Sequence, residues 1–119
     1  MEVLDAAQAL LPELRVPRWS SPTEDQVAAV MGQNQSLMMA LGKTALIGPP
    51  DLENIGRFLA DTGTSAVQGL MMLSPADFEL EFLDVTNEQL HQRAELFLRA
   101  SIQFRDRAGA IIGQTDAPP

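Results

Sequence analysis

Apolar residues recur along this chain at steps of three and four, the spacing of one face of an α-helix. Val3, Ala6, Ala7, Leu10 and Leu11 make the first stripe. It predicts a short helix over Glu2–Leu11 that stops near Pro12, whose ring removes an N–H donor. Arg15–Ser20, with Pro17 and Trp19, reads as an extended linker. Ser21-Pro22-Thr23-Glu24 combines a capping hydroxyl, a proline suited to the first helical position and an acid three residues after the cap. A helix is therefore expected from Pro22 to about Gly42. Its stripe holds Val27, Val30 or Met31, Asn34, Leu37 or Met38, and Leu41.

Gly48-Pro49-Pro50 breaks the pattern, and Asp51 is placed to cap a helix carrying Leu52, Ile55, Phe58 and Leu59. Thr62-Gly63 reads as its end, with a further helix starting near Thr64 and carrying Ala66, Val67, Leu70, Met71 and Leu73. Ser74-Pro75-Ala76-Asp77 repeats the capping pattern. Phe78–Phe82 alternates as a strand would, but Phe78, Phe82 and Val85 also fit a helix face. A lone strand has nothing to pair with, so the segment reads as helical or irregular. Thr86–Gln89 is another capping box. It precedes a last helix, Asn87 to about Ala108, with Leu90, Ala94, Phe97, Ser101 and Phe104 on one stripe. Leu98 and Ile102 widen that stripe, and Gly109 ends it. The expected fold is all-α, a small bundle of about four to five helices. Residues 1–109 form a single helical domain whose first 20 are a short helix plus the proline-containing linker, and 110–119 form a flexible tail.

Composition narrows the chemistry. The chain has 119 residues, no Cys and one His. That excludes disulfides, thiolate metal sites, a Cys nucleophile and any site needing two imidazoles from one chain. Eight Lys and Arg stand against sixteen Asp and Glu, for a formal net charge of −8. Free nucleic acid and anionic membrane both require clustered positive charge, so neither is an expected partner. The segment Asp51–Gln89 holds eight acids against Arg57 alone, an acidic middle before a mildly basic last helix. The first residues carry acids where a secretory leader would carry Lys or Arg. The longest apolar run, Leu37–Ile47, is too short to span a bilayer and contains Lys43. A soluble, cytoplasmic protein is expected.

Catalytic motifs are weak. Gly42-Lys43-Thr44 matches the end of a phosphate loop, but Leu37 stands where the motif needs a Gly. His91 and Glu95 make only an i, i+4 helix pair. Glu79 and Glu81 share a face only in a strand. Phe58-Leu59-Ala60-Asp61-Thr62-Gly63-Thr64-Ser65, followed by an apolar helix and then Phe78 with acids, resembles the phosphopantetheine attachment region of acyl carrier proteins. The resemblance covers under half of the chain and implies Ser65 as attachment residue, at a helix start. Thr64 stands where the family carries Asp, Ala66 where it carries Leu, and Pro75 interrupts the following helix.

The favoured reading is a non-enzymatic protein–protein interaction module without cofactor or metal, self-associating as an assembly subunit or acting as a small adaptor or chaperone. Met38-Met39 and Met71-Met72 suit an adaptable apolar groove. Asn34, polar within an apolar stripe, suits control of register and oligomeric state. The expected partner-binding residues are Met31, Asn34, Met38, Leu41, Phe97, Leu98 and Ile102, on two long helices whose stripes bury one another within one chain only if the helices pack side by side. A carrier using Ser65 is the alternative, and an acidic inhibitor mimicking nucleic acid is the third reading.

Overall fold

In the computed structural model, which describes residues 2–15, 19–47 and 49–116, the stripes become four helices. They are α1 (Glu2–Arg15), α2 (Glu24–Ile47), α3 (Pro50–Met71) and α4 (Leu83–Asp116), with a 3-10 turn at Pro75–Phe78. No strand occurs among the described residues, and the alternating segment after Asp77 is turn. The fold is all-α, as the periodicity predicts.

The helices form a ring: α1 packs on α2, α2 on α3, α3 on α4, and α4 back on α1. Asn34 of α2 lies against Gly63 of α3 and Leu41 against Gly56, while Gly56 also meets Phe104 of α4 and Gly63 meets Phe97. Numbers rise on one helix as they fall on its neighbour, so the bundle is antiparallel, up-down-up-down. It is elongated, 61 × 22 × 19 Å with a radius of gyration of 16.1 Å. A compact domain of this chain length would have a radius of gyration of about 13–14 Å. The 34 residues of α4 run for about 51 Å at 1.5 Å per residue. The two long helices, α2 and α4, do not pack side by side but stand across the ring with α1 and α3 between them.

Seven-residue series line the interior. Val30 and Leu37, with Val27, Asn34 and Leu41, serve α2; Leu52, Leu59 and Ala66, with Gly56, Gly63 and Leu70, serve α3; Leu83, Leu90, Phe97 and Phe104 serve α4. A repeat of seven keeps one seam facing the neighbour through left-handed knobs-into-holes packing. Phe97, Phe104, Leu10, Leu37 and Leu59 are fully buried.

The helix ends depart from the sequence reading for local reasons. α1 runs through Pro12 to Arg15, because the ring is exposed and the bond it forfeits falls on the exposed Gln8, whose carbonyl water can reach. The extended linker expected after Arg15 falls partly on 16–18, outside the described residues, as does Gly48 between α2 and α3. α2 is capped by Thr23, not Ser21: Gln26 N donates to Thr23 Oγ1 at 3.2 Å and Thr23 N donates to Gln26 Oε1 at 2.9 Å. That reciprocal pair is the capping box, two residues later than expected. α3 does not stop at Thr62-Gly63; no described glycine has a positive φ, and the helix passes straight through. At Ser74 both N and Oγ donate to Asp77 Oδ2, at 2.7 and 3.0 Å, as the repeated capping pattern predicts. α4 begins at Leu83, so Thr86 is inside it rather than capping it. Its Oγ1 donates to the Asp77 carbonyl at 2.7 Å and ties the 3-10 turn to α4. Gly109 does not end α4, which continues to Asp116 through most of the segment expected as a tail. Residues 117–119 lie outside the described residues.

Gly42 and Gly109 lie in helices, exposed, with nothing within 4 Å of where a Cβ would stand. Glycine in a helix interior costs about 0.5–1 kcal/mol relative to alanine. Gly42→Ala and Gly109→Ala are each expected to stabilise the bundle by about that amount. Urea titration should move the midpoint upward at unchanged slope.

Candidate functional site

On the outer side of the α2–α3 pair runs a groove of about 740 Å³. Ala28, Met31, Gly32, Gln35 and Met38 wall it from α2; Thr64, Val67, Gln68 and Met71 wall it from α3, with Asn34 between. Met31, Met38 and Met71 are each about half exposed. Their positions follow from the heptad phase: Val30 and Leu37 point inward, so Met31 and Met38, one residue on, turn to the rim. Met38 sits at the junction, its sulfur accepting from Asn34 Nδ2 at 4.0 Å and from Thr64 Oγ1 at 3.9 Å. Asn34 Oδ1 is enclosed and has no donor. Among the described residues, no Asp, Glu, Lys or Arg contributes to the lining.

The seven residues expected to bind a partner do not form one surface. Met31, Asn34 and Met38 gather in this groove. Leu98 and Ile102 line a smaller hollow on another side, against Leu4, Ala7 and Leu11 of α1. Leu41 and Phe97 are buried in the core of the single chain. They fell on the same stripes as the others because sequence spacing marks an apolar face without saying what covers it. Of the α3 wall, the sequence marks Met71 but not Thr64, Val67 or Gln68, although Gly56 and Gly63, seven apart, mark the face on which α2 and α4 close. Two glycines on one helix face mark where a neighbour comes close.

Ser65 lies in the interior of α3, where Arg93 Nη1 donates to both its carbonyl and its Oγ at 2.9 Å. It is not at the helix start that the carrier resemblance implies. Gly42, Lys43 and Thr44 are all within α2, so no phosphate loop forms there. His91 Nε2 stands 3.8 Å from Glu95 Oε1, and Arg15 reaches the same oxygen at 3.8 Å. Among the described residues, no group of three His, Asp or Glu side chains is placed to hold a metal ion. No described helix is long and apolar enough to cross a membrane. Asp51, expected to cap α3, lies just inside it after Pro49 and Pro50, with Oδ1 accepting from Leu52 N at 3.0 Å. Arg107 pairs with Asp51 Oδ2 through its Nε, and hydrogen bonding from the guanidinium, ahead of its charge, holds the carboxyl below its ordinary pKa. A depressed carboxyl adds stability above its unfolded pKa and loses it as pH falls through the folded value.

The charges divide along the bundle. Residues 19–42 and 58–92 carry eight acids and no Lys or Arg, whereas the remaining residues carry eight of each sign. The whole net charge of −8 thus belongs to those two segments. Seven of their acids, Glu24, Asp25, Asp77, Glu79, Glu81, Asp84 and Glu88, fall at the end where α2 and α4 begin and α3 stops.

These features define an antiparallel four-helix bundle with a charge-free methionine groove and an acidic end. No family model, curated protein or solved structure matches the chain.

Proposed function

We propose that this chain is a non-enzymatic, self-associating helical subunit whose copies dock through the α2–α3 groove. The observation that carries this reading is the absence of any charged side chain from the groove of a chain with net charge −8. A two-fold contact sets a patch against itself, so any charge in it would oppose its own copy. An uncharged lining removes that penalty, and Gln35 and Gln68 each bring both a donor and an acceptor. Met31, Met38 and Met71 supply apolar area that adapts to a partner's shape. Asn34, at the base, gives the contact polar geometry of the kind that fixes register in helical assemblies.

Light scattering coupled to size exclusion, over a concentration series, tests the proposal. The expected result is a species of twice the 12.9 kDa chain mass. Met38→Asp or Met71→Asp should give the single-chain mass with an unchanged helical spectrum. Leu98→Asp, on the other side of the bundle, should leave the doubled mass in place. A single-chain mass at every concentration, or a doubled mass that survives both methionine changes, overturns the reading.

A further inference from the structure

We propose that the acidic end of the bundle docks a cationic amphipathic segment of another protein. Large apolar side chains are displayed there without a partner. Leu80 is 89% exposed and Met72 84%, and Phe82 and Val85 are each about half exposed. This display is built into the fold. The turn carrying Leu80 is closed by Phe82 N donating to Glu79 O at 2.9 Å. On one side of it Ser74 holds Asp77, and on the other Thr86 Oγ1 holds the Asp77 carbonyl at 2.7 Å. A turn fixed at both ends holds Leu80 outward.

Charge selects the occupant. Glu79, Glu81, Asp84 and Glu88 interleave with these apolar residues, and the first base on α4 is Arg93. Helix-start dipoles account for acids such as Asp84 in the first turn of α4. They do not account for Glu79 and Glu81, which flank Leu80 in the turn. The same patch of a second copy is disfavoured as occupant, because the patch against itself would set carboxylate on carboxylate. The complementary partner carries apolar side chains on one face with Lys or Arg beside them. This surface is separate from the methionine groove and does not depend on self-association.

The test uses the full chain and a fluorescein-labelled synthetic helix of alternating Leu and Lys clusters, read by anisotropy. A second peptide of equal charge, with every Leu replaced by Ser, gives the purely electrostatic background. The Leu–Lys peptide should bind at least tenfold more tightly than the Ser–Lys peptide. Leu80→Ser with Val85→Ser should remove that tenfold advantage while the helical spectrum stays unchanged. Glu79→Gln with Glu81→Gln should weaken binding several-fold and flatten its salt dependence. Glu53→Gln with Asp106→Asn, an equal charge change elsewhere, should not. Equal affinity for the two peptides, or equal losses from the two neutralised pairs, overturns the proposal. Met38→Asp should bind the peptide as the unaltered chain does, which separates this surface from the groove; a tenfold loss there would also overturn it.

Discussion

Truncation of Phe97 to alanine is expected to cost about 3–5 kcal/mol of folding stability. Phe97 has no exposed surface, and its ring lies against Gly63 of α3. The cost combines lost transfer free energy with the cavity left behind, and the second term grows when neighbours cannot move in. Gly63 has no side chain to swing into the space. Domains of this size are stable by only about 5–15 kcal/mol, so the variant would lose a large share of its margin. Urea denaturation followed by circular dichroism checks this through the midpoint. A loss below about 1 kcal/mol would mean that the ring is not packed as described.

The opposite change, adding one methyl at Gly63, is expected to be destabilising by about 1–2 kcal/mol despite the better helix propensity of alanine. A Cβ there would stand 3.0 Å from Phe97 Cε2 and 3.1 Å from Asn34 Oδ1. The ring is buried, so relief has to come from moving a helix. The overpacking cost of about 1–3 kcal/mol therefore exceeds the gain of about 1 kcal/mol from replacing glycine. Gly69→Ala is the control. Its Cβ would stand 2.8 Å from Arg93 Cδ, the far part of an exposed, flexible side chain that can turn away. Turning away costs Arg93 its exposed hydrogen bonds to Ser65, which the better helix propensity of alanine offsets, so that variant should fall within about 1 kcal/mol of the parent. In a cycle with Phe97→Leu, the methyl at Gly63 should cost less than in the parent. A coupling energy above about 0.5 kcal/mol would locate the strain at this contact.

What could be read from the sequence was whatever depends on residues near one another in the chain. The all-α class, the groove methionines and the Ser74–Asp77 cap followed from short-range spacing. Two glycines and a proline depart from the usual stop rule for one reason. Gly63, Gly109 and Pro12 all look like stops, yet a stop is a statement about what the rest of the fold permits. Gly63 continues a helix because Phe97 and Asn34 need its bare face, and Pro12 is tolerated because its ring meets water. Of the expected break at Gly48-Pro49-Pro50, Pro49 precedes α3 and Pro50 begins it, while Gly48 lies outside the described residues. Leu41 and Phe97 lie in the core for a related reason. An apolar stripe can be covered from inside or outside the chain, and only the ring order, with α2 and α4 held apart, decides which. The charge division was present in the residue order, but a boundary drawn from Asp51 to Gln89 mixed the acidic end with the Asp51 and Glu53 start of α3.

The short α1 has a consequence for the order of events in folding. α2, α3 and α4 follow one another in the chain and pack on their immediate successors, so their loops are cheap to close. The α1–α4 pairing alone joins opposite ends of the sequence, and closing the ring requires it. A 14-residue helix is marginal without tertiary support. α1 is thus the last helix to settle and the first to leave, and amide protons along it should exchange while the other three helices remain assembled.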